Sequence, residues 1–135
     1  MKKLIILGLV LLMVVVFGTA ALAKAVLHTL VPYLPAYAEA SGKAIVNNSE
    51  GDALLEITVS AKGLEAYTDY FVYIGDDGGN WTNLGTFTTN ANGNGNFHIN
   101  VREDLFPSLL VKYMAINLEE TNARVLMDED YPLFP

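Results

Sequence analysis

Covalent catalysis by side chains needs a nucleophile beside a base, and this sequence is poor in both. There is no cysteine, and the two histidines, His28 and His98, lie far apart with no Ser or Cys motif around either. No catalytic residue is assigned, and no enzymatic activity is expected. A closed transition-metal site fares no better, because four nitrogen or sulfur ligands cannot come from two separated histidines. Calcium has one candidate stretch, where Asp76, Asp77 and Asn80 cluster. Asn90, Asn92, Asn94 and Asn96 offer only neutral carbonyls, and their two Asn-Gly steps are explained by turn formation. No cofactor is expected.

Recognition chemistry is better supplied. If Tyr70, Val72 and Ile74 point inward along an extended segment, then Phe71 and Tyr73 point outward, and Trp81 follows a few residues later in what reads as a loop. Exposed flat rings stack on sugar faces or anchor a protein partner. The competing expectation is that residues 25–40 or a neighbouring sheet cover them. Asn47-Asn48-Ser49 and Asn80-Trp81-Thr82 match the N-glycosylation pattern, and both fall in expected turns, so Asn47 and Asn80 are candidate acceptors by pattern alone.

The elements that must position these residues are strands. Leu55, Ile57, Val59 and Ala61 alternate with Glu56, Thr58, Ser60 and Lys62, the two-residue beat of a half-buried strand. Similar short runs cover 43–46, 70–74, 84–89, 97–102, 109–118 and 124–127, separated by turn-forming clusters at 47–51, 76–80, 90–96 and 119–122. Helical periodicity is confined to a single turn near 103–109. About seven antiparallel strands at regular spacing predict an all-β sandwich of two sheets packed face to face over residues 42–127. No internal repeat is visible.

The flanks read differently. Lys2 and Lys3 precede an uncharged run from Leu4 to Phe17, and small residues Ala21 and Ala23 suit cleavage before Lys24. Residues 1–23 therefore read as an apolar signal helix, or as a membrane anchor if it is retained. Either way the remainder is expected outside the cytoplasm, secreted or in the cell envelope, touching membrane only through that segment. Residues 24–41 read as an apolar arm or linker interrupted by Pro32 and Pro35, in its plainer form a first edge strand plus a linker packed on the domain. A donor strand for a neighbouring subunit is the sharper alternative. Residues 128–135 read as an acidic surface tail. Without Lys2 and Lys3, six basic residues face fifteen acidic ones, a charge near −9. Such a surface repels phosphate backbones, so nucleic acid is not an expected partner. A protein or glycan at the cell surface is.

Residues 63–74, Gly63-Leu64-Glu65-Ala66-Tyr67-Thr68-Asp69-Tyr70-Phe71-Val72-Tyr73-Ile74, resemble a signature of fibronectin type III and related immunoglobulin-like modules, Gly-Leu-x-Pro-x-Thr-x-Tyr-x-Val-x-Val. The resemblance implies that Leu64 plugs the core and that the Tyr70 hydroxyl ties the crossing between sheets. Ala66 stands where the family has proline, and about four strands follow the motif instead of two. Only the immunoglobulin-like sandwich and the tyrosine corner carry over. A non-catalytic module for partner binding or assembly is the expectation, with carbohydrate binding through Phe71, Tyr73 and Trp81 as the alternative and an enzyme with an unrecognised site as a distant third.

Overall fold

A computed structural model of the chain describes residues 24–49, 54–102 and 112–132. The expected leader at 1–23, the helical turn near 103–109 and the last three residues of the acidic tail lie outside these. The described residues contain no α-helix. They form eight strands: β1 (Lys24–Pro32), β2 (Ser41–Ser49), β3 (Leu54–Lys62), β4 (Asp69–Gly75), β5 (Trp81–Thr88), β6 (Gly95–Arg102), β7 (Tyr113–Leu118) and β8 (Arg124–Asp128). Every pairing is antiparallel, and the order across the sheet is β5-β4-β7-β8-β1-β2-β3-β6. The end strands β5 and β6 approach each other without a hydrogen-bonded ladder, so the sheet is nearly closed around one core.

The all-β expectation holds, while the arrangement differs in four places. Two separate sheets of about seven strands were expected, and the structure has one continuous sheet of eight. The join is made by β1, which pairs with β2 along its length and with β8 through Leu30–Asp128, Val31–Met127 and Pro32–Leu126. Residues 24–32 thus form a first strand as expected, but an internal one and not an edge. The prolines fall where the ladder stops: Pro32 is the last residue of β1, and Pro35 opens a 3₁₀ turn ending at Tyr37.

Second, Asn47, Asn48 and Ser49, expected to open a turn, belong to β2, which runs on to Ser49 with Asn47 opposite both Ala25 and Glu56. Ladders on both sides outweigh the turn preference of asparagine. Third, Trp81 opens β5 instead of lying in a loop, because the turn at 76–80 is tight. Fourth, Asp128 closes β8 and is buried, although it was expected to start the surface tail.

The interior is built from the inward beat of each strand. Leu55, Ile57, Val59 and Ala61 are buried while the residues between them are exposed. They meet Tyr70, Val72 and Ile74 of β4, Met114 and Ile116 of β7, and Leu126 of β8 in one cluster. Burying each large side chain stabilises the fold by about 1.5–3 kcal/mol.

The β3–β4 crossing from one side of this core to the other is fixed by polar contacts. Leu64 is buried, and its N–H donates to the Gly93 carbonyl at 3.1 Å. The Glu65 N–H donates to the Tyr70 hydroxyl at 3.1 Å. The Thr68 N–H donates to Thr89 Oγ1 at 2.9 Å, and that hydroxyl donates to the Glu65 carbonyl. Gly93 must be glycine here: its φ is +74°, and a Cβ would lie 2.0 Å from the Leu64 carbonyl oxygen.

Candidate aromatic face

Outward-pointing side chains of β4, β5, β7 and β8 converge on one aromatic surface. Register decides which rings meet. Gly75 on β4 stands opposite Trp81 on β5 and Tyr113 on β7, and Tyr73 stands opposite Asn83 and Ala115. The Trp81 ring lies over the bare Gly75 backbone, where an added Cβ would come within 2.8 Å of it. Tyr131, which follows β8, packs against both neighbours. Its ring centroid is 5.6 Å from that of Trp81 and 5.0 Å from that of Tyr113, at interplanar angles of 52° and 87°. Phe71 and Tyr73 form an edge-to-face pair at 6.1 Å and 82°.

A cation sits among these rings. The Arg124 guanidinium lies 4.1 Å from the Trp81 ring centroid, within cation–π range. Its Nε–H donates to Asn117 Oδ1 at 3.2 Å. Burial lowers the Arg124 pKa, and the nearby phenols of Tyr131, Tyr33 and Tyr73 act the other way. A guanidinium remains protonated at neutral pH regardless. Asn117 in turn donates through Nδ2 to Asn122, and the Tyr73 hydroxyl donates to Asn122 Oδ1 at 3.1 Å. One network therefore runs from Tyr73 through Asn122 and Asn117 to Arg124 and Trp81. Beside it, Tyr33, Val31, Met127 and Tyr131 line a cleft of about 390 Å³.

The structure brings Phe71, Tyr73 and Trp81 onto this common face, each half-buried. Arg124, Tyr113, Tyr131 and Asn117 were missed. No local signal marks them: Asn117 meets Arg124 across a register shift between Ile116 and Asn117, Tyr113 reaches the face through its pairing with Gly75, and Tyr131 through the turn after β8. The other candidates lie elsewhere. Leu64 and Tyr70 sit at the β3–β4 crossing. Asn47 is a half-buried strand residue, and the Asn80 side-chain amide donates to both Asp76 carboxylate oxygens.

Asp76, Asp77 and Asn80 do not converge on a cation. Asp76 Oδ1 accepts from the backbone N–H groups of Gly78 and Asn80 at 2.8 and 3.0 Å, and the Asn80 side-chain amide first, then these backbone donors, hold its pKa below the ordinary value. Asp77 turns away to pair with Lys112. Among the described residues no group of three or more His, Cys, Asp or Glu side chains could hold a metal ion.

His98 is exposed, with Nδ1 3.0 Å from Thr58 Oγ1. His28 is the buried histidine, its Nδ1 2.5 Å from Asp128 Oδ2, an oxygen that also accepts from the Met114 N–H. The other ring nitrogen, Nε2, has no hydrogen-bond partner among the described residues.

No protein-family model matches the chain, and no curated protein matches it.

Proposed function

We propose that this protein is a non-catalytic, extracytoplasmic binding module that docks a protein partner of the cell envelope on its aromatic face. The observation that carries the proposal is the set of half-buried and exposed rings gathered around Arg124 on the outside of the sheet. Tyrosine, tryptophan and arginine are the residue types that dominate protein–protein binding energy. Most of them are already held in place by contacts with one another, so little side-chain entropy is lost on docking. Location outside the cytoplasm rests on the lysine-tagged apolar segment at 1–23. We read the β3–β4 crossing as a tyrosine corner like that of immunoglobulin-like modules, supported by buried Leu64 and by the Tyr70 hydroxyl accepting from Glu65.

Sugar stacking is the less favoured use of these rings. A saccharide platform presents open ring faces lying roughly in one plane, whereas three ring pairs here are tilted by 52–87°. The test is site-directed photo-crosslinking in the native envelope from position 73, compared with position 56 on the opposite half of the sheet. Capture of one defined protein from position 73, lost when Trp81→Ala is added to a protein that remains folded, supports the proposal. Equal capture from both positions rejects it. A glycan-array signal abolished by Trp81→Ala would reassign the face to sugar.

A further inference from the structure

We propose that the opposite outer face, on β1, β2, β3 and β6, carries a second and independent site, for an anionic saccharide held by Lys43 and Lys62. A cleft of about 610 Å³ opens there. Its floor is a ladder of outward side chains whose register is fixed: Thr29 stands opposite Lys43, Lys43 opposite Ser60, and Ser60 opposite Asn96. In the next row Ser41 stands opposite Lys62. Four strands at a spacing of about 4.8 Å give a polar row roughly 14 Å long, enough for two or three sugar rings.

Charge gives the site its ligand class. The sequence has fifteen acidic residues against eight basic ones, so a carboxylate partner for a lysine is easily found. Lys112 has one in Asp77. Lys43 and Lys62 have none: no ion pair or side-chain hydrogen bond joins either ammonium to another described residue. They are also diagonal cross-strand neighbours, since Lys43 faces Ser60 and Lys62 is two residues further along β3. Like charges so placed repel, and an anion bound between them removes the repulsion.

The rest of the lining selects a polyhydroxylated anion over a bare one. The hydroxyls of Thr29, Ser41 and Ser60 and the amides of Asn94 and Asn96 both donate and accept, as sugar hydroxyls do. Val31 and Pro32 supply an apolar wall suited to the C–H face of a pyranose. Lysine serves as a point charge for carboxylate or sulfate. Lys43, Ser60 and Lys62 are exposed and lie outside the aromatic face, and of the lining only Val31 and Pro32 border both clefts, so substitution of the lysines tests this site separately from the proposed partner docking.

The test is calorimetric titration of the protein, as its host produces it, with trigalacturonate, maltotriose and inorganic phosphate as probes. Saturable binding of trigalacturonate alone is expected, weakening as salt is raised. Lys43→Ala and Lys62→Ala should each weaken it about tenfold, the scale of one charge-assisted hydrogen bond. Ser60→Ala should weaken it less, and Thr86→Ala on β5 should leave it unchanged. All are exposed positions, and a matching thermal transition shows that the fold is kept. Absence of trigalacturonate binding overturns the proposal. So does phosphate binding as tightly as trigalacturonate, which would mean charge alone is read, or trigalacturonate binding that survives both lysine substitutions. Binding of an Asp-Glu-Asp tripeptide at the affinity of trigalacturonate would overturn it in favour of an acidic protein segment.

Discussion

Tyr70 serves the core with its ring and the β3–β4 crossing with its hydroxyl. The ring is fully buried and stacks on Phe87 at a centroid distance of 5.8 Å, and the hydroxyl accepts from the Glu65 N–H. Burial pushes its pKa above the ordinary tyrosine value, while hydrogen bonds from the Glu65 backbone and from Tyr37 act the other way. Tyr70→Phe keeps the packing and strands one backbone donor, so urea denaturation should show a loss of about 1–2 kcal/mol. The His28–Asp128 pair makes a second residue-scale case. Removing only the carboxylate, as in Asp128→Ala, leaves a buried imidazole and the Met114 N–H without their acceptor, at a cost of about 3 kcal/mol. The double variant His28→Leu/Asp128→Leu should recover part of that loss in the same measurement, because no unpaired imidazole remains. Tyr70 was legible because its motif is local. His28 was not, since its partner lies 100 positions away in sequence.

At the scale of elements, the β4–β5 hairpin sets Trp81 against Gly75, and Asp76 closes that hairpin's turn. Its carboxylate accepts from three donors of the same turn, Gly78 N–H, Asn80 N–H and the Asn80 amide. The Asp76 pKa is lowered in the folded protein, chiefly by Asn80. The unfolded chain therefore takes up a proton first as pH falls, and the contribution of Asp76 is complete above the ordinary aspartate pKa of about 3.9. It is lost as pH falls through the lower, folded value. An NMR titration should find the Asp76 carboxyl midpoint below that of a model peptide. Asp76→Asn should abolish the corresponding acid-range dependence of turn order.

Strands β3 and β6 were readable because one of their faces is apolar and the other polar, and β4 because its inward Tyr70, Val72 and Ile74 belong to a local motif. The beat failed for β1 and for the end of β2, where Val26, Leu27 and Ile45 are exposed apolar residues and Asn47 is a strand residue. There, pairing with neighbours sets the conformation and the side-chain pattern does not.

At the scale of the molecule, β1 holds the sheet together. It lies between β8 and β2, so without it the strands separate into the groups β5-β4-β7-β8 and β2-β3-β6. Deleting residues 25–32 should abolish the cooperative unfolding transition and expose the core to a hydrophobic dye. A removable arm would instead leave the transition in place. The two proposed binding faces lie on the outer sides of these two groups, and β1 fixes one relative to the other. The sequence by itself determined that the described part of the chain is all-β, which faces of β3 and β6 are apolar, and that Phe71 and Tyr73 point away from the core. Those properties follow from local alternation and composition, which need no knowledge of distant partners. Only the tertiary structure decided that eight strands form one nearly closed sheet, that Arg124 and Tyr131 join Trp81, that His28 meets Asp128, and that Lys43 and Lys62 share a cleft. Each of these is a matter of register between strands remote in sequence. Register is set by how the whole core packs, because shifting one strand by a single residue would turn its apolar side to water.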